Sequence, residues 1–224
     1  EPVWLFYRTD AVQRINKRPQ LSNLTQLAGW KVNVGTDGSG VPTLFTQLLD
    51  ANHLAPTQLT LSHLGETPAT VDFLAGKIVA MVFVSAPESL MVQMLLQTPG
   101  VQLMDFPQHE AYGRKFKFLT PVTLPRGIVD LAGNVPPQDV RLLASTTSLL
   151  VRDDTHPAIK TLFAQASQGI HSNAGWFNRA RDFPNSKSSE LPVAQEGVRA
   201  INEPSPWLQR YLPFWMANVV ERMW

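Results

Sequence analysis

Side chains and amides able to hold a ligand are concentrated in one stretch, Lys31-Val-Asn-Val-Gly-Thr-Asp-Gly-Ser-Gly-Val-Pro-Thr-Leu-Phe-Thr-Gln-Leu-Leu-Asp50. Val32 and Val34 alternate with polar residues as in a strand, Gly35, Gly38 and Gly40 interrupt, and Leu44, Phe45, Leu48 and Leu49 recur at helical spacing. The pattern predicts strand, glycine loop and helix. The first amides of a helix lack internal partners and sit at the positive end of its dipole, so a carboxylate or phosphate is stabilised there. Thr36, Gly38, Ser39 and Gly40 would line such a site, and the hydroxyls of Ser39 and Thr43 could donate to it. The alternative is a tight turn in which the glycines only permit positive φ. The stretch has neither the Lys-Ser/Thr ending of a phosphate-cradling loop nor the glycine spacing of a dinucleotide fold.

Other candidates are scattered. Arg8 closes an apolar run and could pair with a ligand carboxylate in bidentate fashion, or form a surface ion pair. Glu66 and Glu88 stand where helices are expected to begin, and an acidic side chain there is favoured by the dipole whatever the function. Ser85 ends a β-branched run. The five histidines, His53, His63, His109, His156 and His171, show no metal-ligand spacing, so no metal site is expected. Ser39 is not set in G-x-S-x-G, since Asp37 lies two residues before it, and no neighbouring His or acid is placed to activate it. No cofactor is implied, and an enzyme is the least favoured class.

These residues need a scaffold, and the remainder of the chain describes one. Its 224 residues, 44% hydrophobic, suffice for one substantial core or two modest ones. The 19 basic and 18 acidic residues give a net charge of +1, so no global field recruits nucleic acid or anionic lipid. With no cysteine, disulfides and thiol catalysis are excluded, which is compatible with an oxidising compartment. The chain starts at Glu1 without a signal-like segment, implying a removed leader or a piece of something longer. No run of about eighteen apolar residues is present to span a bilayer.

Val3 to Tyr7 is expected to be a buried strand, and Thr9 to Asn23 a connection with a helical turn at Ala11 to Ile15. The helix after the glycine loop should run to about Asn52. Leu59 to Gly65 alternates as a strand, Glu66 to Gly76 places Val71, Phe73 and Leu74 on one helical face, and Ile78 to Val84 reads as a strand buried on both sides. A helix is expected from Pro87 to Leu96, a strand from Val101 to Phe106 and a short helix around His109 to Lys115. Pro121 and Pro125 make Phe118 to Val129 an edge or crossing strand. Arg141 to Val151 follows as a long strand, and a helix from Thr155 has Ile159, Leu162, Phe163 and Ala166 as its core face. Gly175 to Glu190 should be irregular. Trp207 to Trp224 is apolar around nearly its whole circumference, as in a buried, oligomeric or membrane-directed helix. The alternation from Lys31 to Phe106 implies an α/β fold with parallel strands and flanking helices. In such sheets the loops Gly35 to Gly40, Gly65-Glu66 and Ser85 to Glu88 converge on one edge.

The order of these motifs resembles a known family. Leu27-Ala-Gly-Trp-Lys-Val-Asn-Val-Gly-Thr-Asp-Gly-Ser-Gly40 is similar to the signature of TAXI-type TRAP transporter solute receptors, also described as NMT1-like periplasmic binding proteins. Phe73-Leu-Ala-Gly-Lys-Ile-Val-Ala80 and Ser85-Ala-Pro87 resemble their next two motifs. Thr155-His-Pro157, Phe183-Pro184 and Pro206-Trp-Leu-Gln-Arg-Tyr-Leu-Pro-Phe-Trp215 resemble the tail of a membrane-anchored subgroup. Val79 stands where the family usually has Asp, and the family's initial first-lobe segment has no counterpart before Val3.

The resemblance implies a type II periplasmic-binding-protein fold. Residues 1–27 would be a remnant of lobe one and hinge, 28–125 lobe two, and 126–224 the return strand with a C-terminal helical part of lobe one. It further implies a periplasmic receptor, anchored to the inner membrane in the full-length protein through segments absent here, that presents a small organic anion to TRAP permease subunits. That anion would be a dicarboxylate or an acidic amino acid. A homodimer through the C-terminal helix is a further possibility. Arg8, Thr36, Gly38, Ser39, Gly40, Thr43, Glu66 and Ser85 are the expected ligand contacts. A ligand-sensing regulatory domain of the same fold and an enzyme on that fold are the alternatives.

Overall fold

The structure, a computed structural model, describes residues 1–187 and 191–203. The chain divides into two compact units, Glu1–Thr146 and the residues from Thr147 onward.

The first unit is built on β1 (Val3–Arg8), followed by a helical turn α1 (Thr9–Ala11) that continues as a π-helical turn, Val12–Asn16. Then come β2 (Lys31–Asn33), α2 (Gly40–Ala51), β3 (Thr60–Ser62), α3 (Glu66–Leu74), β4 (Ala80–Val84), α4 (Leu90–Gln97) and β5 (Val101–Leu103). The strands form one sheet in the order β3-β2-β4-β1-β5. β2 is parallel to both β3 and β4, whereas β1 is antiparallel to β4 and β5. Four strands thus point one way and β1 the other, giving the mixed, mostly parallel α/β sheet expected from the alternation.

The central position of β1 explains its composition. A strand paired on both edges and covered on both faces must be apolar throughout, and Val3, Trp4, Leu5, Phe6 and Tyr7 are each at most 2% exposed. Phe6 stacks between Trp4 and Phe83, with ring centroids 6.2 and 5.9 Å apart. On the chain that follows, Trp30 meets Tyr7 edge-on and donates its indole N–H to Asn16 Oδ1 at 3.1 Å. Burial raises the Tyr7 phenol above its ordinary pKa. Its O–H donates to Gln102 Oε1 at 2.8 Å and its oxygen accepts from the Leu21 amide.

α5 (His109–Lys115) then leads into a two-stranded ribbon of β6 (Leu119–Leu124) and β7 (Val140–Ser145). Pro121 sits in β6, which among the described residues pairs with β7 alone, as suits a strand containing proline. Arg141 and Asp105 join the ribbon to the end of β5 by a two-pronged ion pair, and the Phe106 amide donates to the Arg141 carbonyl at 2.9 Å. The second unit carries α6 (Pro157–His171) and α7 (Gln195–Asn202), tied by Gln168 Nε2 donating to the Ile201 carbonyl at 3.2 Å. Among the described residues no helix is long and apolar enough to cross a membrane.

Four expectations are corrected. α4 begins at Leu90, because Ser89 caps it by accepting from the Val92 amide; Pro87 lies in the preceding turn. α3 buries the expected Phe73, but with Ala69 and Thr70 beside it and Val71 left 60% exposed; the Thr70 hydroxyl reaches Met91 Sδ at 3.4 Å. The strand expected to reach Val151 stops at Ser145, beyond which β7 has no ladder partner among the described residues. On α6 the buried residue is Ala164, while Ile159, Leu162 and Phe163 are 42–47% exposed. The expected apolar helix from Trp207 to Trp224 lies outside the described residues.

Candidate functional site

β2 and β4 are neighbours in the sheet, yet their outgoing connections leave in opposite directions, β2 to β3 on one side and β4 across β1 to β5 on the other. Such a divergence beyond the carboxyl ends of two strands is the usual ligand position in open α/β sheets. The β2–α2 glycine loop and the segment from Ser85 to Ser89 leave the sheet there, and the β3–α3 loop lies next to the glycine loop.

The glycine loop is a tight turn whose donors are only partly spent. The Ser39 amide closes it onto the Thr36 carbonyl at 3.1 Å, with Gly38 at φ +84°, and Gly35 at φ +80° bends the chain out of β2. A Cβ at Gly35 would only touch Ser39 Oγ and Val41, so it is the positive φ that favours glycine there. Ser39 is the N-cap of α2, but its hydroxyl donates to the Thr36 carbonyl at 2.8 Å and caps no amide. The turn and the anion site weighed in the sequence therefore coexist: Gly40 and Val41, at the first two helical positions, keep amides that the helix itself cannot use. Pro42 in third position has no N–H and removes one donor.

Asn33 sets the neighbouring loop. It is 2% exposed, accepts from the Leu64 amide at 2.9 Å and donates Nδ2 to the Leu64 carbonyl at 3.2 Å. This two-way bond holds residues 63–65 beside the glycine loop, close enough that a Cβ on Gly65 would stand 3.8 Å from the Thr36 methyl. His63 Nδ1 lies 2.9 Å from Asp37 Oδ1, a second link between the two loops. Glu66 occupies the first position of α3, exposed, and Ser85 follows β4, its carbonyl accepting the Trp4 indole N–H at 3.0 Å. Asp37, Glu66 and Glu88 give this edge three carboxylates, and its three loops contain no Lys or Arg.

Seven of the eight expected contacts, Thr36, Gly38, Ser39, Gly40, Thr43, Glu66 and Ser85, are thus carried on the loops and helix starts of one sheet edge. Arg8 is not. β1 runs against β4, pairing Tyr7 with Ala80, so Arg8 emerges at the opposite edge. There its guanidinium binds Asp10 at 3.0 Å and donates to the carbonyls of Phe73 and Leu74 at the end of α3. The hydrogen bond from the Arg8 guanidinium holds the Asp10 carboxyl below its usual range. Asn33, His63 and Pro42 were not among the expected site residues. Only Asn33 left a trace in the sequence, as a polar residue in a strand that two neighbours would bury.

Among the described residues no cluster of side chains is suited to a metal ion. The geometry defines a mixed α/β domain with its candidate site at the carboxyl edge of the sheet. The chain belongs to the NMT1-like family, whose model matches residues 3–175. No curated protein matches it. Among solved structures it is similar to the alkanesulfonate-binding protein SsuA from Xanthomonas axonopodis pv. citri bound to MOPS, with 18% identity and a TM-score of 0.36 over 46% of this chain and 31% of that one. The periplasmic aliphatic sulphonate binding protein SsuA from Escherichia coli gives the same figures, so the chain spans about a third of the length of these two proteins. The Synechocystis PCC6803 CcmR regulatory domain in complex with 2-PG is 13% identical, with a TM-score of 0.34 over 68% of this chain and 56% of that one.

Proposed function

We propose that the protein is the solute-binding component of a TRAP-type transport system, of the TAXI kind, that captures a small organic anion, a dicarboxylate or an acidic amino acid. The observation that carries the proposal is the pair of unspent amides at Gly40 and Val41, presented by a glycine turn at the carboxyl end of β2, where the connections of β2 and β4 diverge. Backbone N–H groups at a helix start hold a carboxylate without a charged side chain, which suits an edge without lysine or arginine. Thr36, Gly38, Ser39 and Gly40 form the turn, while Thr43, Glu66 and Ser85 border the ligand. Arg8 serves the scaffold. A second lobe closing by hinge motion would complete the contacts. The protein then works in the periplasm, anchored to the inner membrane, and hands its ligand to permease subunits; it performs no reaction.

Calorimetric titration with succinate and glutamate, on this chain and on a version extended at its amino end, tests the proposal. Binding by the extended protein, lost in Ser39→Phe with unchanged melting, is the expected result. A cooperatively melting extended protein that binds neither ligand would refute it.

A further inference from the structure

We propose that the cavity framed by the end of β5, the start of α5 and the β6–β7 ribbon is a second ligand site, one that takes a small hydroxylated ammonium compound. The cavity has a volume of about 400 Å³ and is lined by Asp105, His109, Thr123, Gln138, Asp139 and Arg141. Ligand cavities commonly measure about 300–1,000 Å³ and are mostly apolar. A lining made of polar side chains suits a ligand that is itself polar over most of its surface. β5 is an edge strand, separated from β2 by β4 and β1, so this place lies apart from the glycine turn and does not depend on it.

The lining divides into groups already spent on the fold and groups left over. Asp105 is spent: its Oδ1 accepts from the Arg141 amide at 2.7 Å and from Arg141 Nε at 3.1 Å, and its Oδ2 accepts from Nη2. Asp139 is spent by half. Its Oδ1 accepts from the Arg126 amide at 2.8 Å, whereas Oδ2 has no hydrogen-bond or ion-pair partner among the described residues. The Thr123 hydroxyl and the Gln138 amide are likewise unused there. His109 Nδ1 is buried without a partner, although buried polar atoms are as a rule paired. Four of the six lining residues thus hold hydrogen-bonding capacity that the fold does not consume.

Charge decides the class of ligand. Two carboxylates line the cavity against one guanidinium, and that guanidinium is matched by Asp105, which leaves Asp139 uncompensated. An anion is repelled there and a cation attracted. Among the described residues no cluster of side chains is suited to a metal ion, so the cation is organic. An ammonium group donates to Asp139 Oδ2, and ligand hydroxyls both donate to and accept from Thr123 and Gln138.

The test is an NMR titration of the full chain with glucosamine and with ethanolamine, read at the amides of Arg126 and Arg141, which bond to Asp139 and Asp105. Both compounds are expected to shift these signals, with dissociation constants of about 1 mM or lower. Their neutral counterparts, glucose and ethylene glycol, should bind at least about tenfold more weakly, because hydrogen bonds to a charged group are the stronger ones. Asp139→Asn keeps an oxygen for the Arg126 amide and should weaken glucosamine about tenfold at Arg141 with unchanged melting. Thr123→Val should weaken it roughly threefold. Ser39→Phe, at the glycine turn, should leave glucosamine binding unchanged. Absence of shifts with both ammonium compounds up to about 20 mM, where a millimolar site is saturated, overturns the proposal. So does glucose binding as tightly as glucosamine, or full affinity in Asp139→Asn. Such a failure leaves the anion site standing, since that site is read with other ligands and another variant.

Discussion

Replacing Asn33 by Asp changes one atom and tests how the site is positioned. In the wild type the Asn33 amide matches both groups of Leu64, its oxygen accepting from the N–H at 2.9 Å and its nitrogen donating to the carbonyl at 3.2 Å. An ionised Asp keeps the first bond but turns the second into a repulsion between two oxygens, at a residue only 2% exposed. Losing a hydrogen bond while leaving a buried acceptor unpaired costs about 1–3 kcal/mol, and burying an unpaired carboxylate adds to it. We expect a loss of about 3 kcal/mol at pH 7.5, since the half-buried Leu64 allows water to relieve part of the penalty. When protonated, the new carboxyl has an O–H that donates to the Leu64 carbonyl and a C=O that accepts from its amide, restoring the wild-type pattern. Burial raises the folded-state pKa of the new carboxyl above its unfolded value, so the variant is relatively most stable at low pH and loses that stability as pH rises through the folded pKa. Urea unfolding at pH 4.5 and pH 7.5, followed by amide signals from β2 and β4, should show the gap to wild type widening at the higher pH. Amide exchange at Leu64 should accelerate at pH 7.5. If Asn33→Asp matched wild type at pH 7.5 with Leu64 equally protected, the bond would not be what holds the β3–α3 loop.

Three further substitutions separate the parts of the argument. Pro42→Ala adds a third free amide to the first turn of α2 and should tighten anion binding severalfold in calorimetry, whereas unchanged or weaker affinity would place the ligand elsewhere. Gly113→Ala puts a Cβ 2.7 Å from Cδ of the Pro121 ring, which cannot yield as a flexible chain would; after the gain in helix propensity we expect a net loss of about 1–2 kcal/mol in thermal or urea unfolding, and a stabilised variant would contradict the close packing of α5 on β6. Arg8→Ala removes a cation from the end of α3 and should cost about 1 kcal/mol at neutral pH. Because Asp10 has a depressed pKa, the contribution of that pair should fade as pH falls through it, and NMR titration should return the Asp10 carboxyl of the variant toward its ordinary value; altered ligand affinity would contradict the scaffold role of Arg8.

The order of elements from Lys31 to Lys115 and membership of the NMT1-like family were legible in the residues alone. Local patterns sufficed there: the β-branched run at Ile78 to Val84 requires burial on both sides, Gly76 stops α3 at φ +74°, and the glycines after Val34 require a turn. The tertiary structure alone decided which residues share an edge. Arg8 and the glycine loop are both flanked by apolar strands in the sequence, and only the reversed direction of β1 sends Arg8 to the opposite edge. Strand direction depends on pairing between residues far apart in the chain, and no local pattern encodes it. The same holds in part for the faces of α3 and α6: apolar spacing named Phe73 correctly, but it also named Val71 and Phe163, which are exposed, while Ala69 and Ala164 are buried. The partner of Asn33 is fixed only when β2 and β3 lie side by side, since the sheet brings together residues 31 apart in the chain.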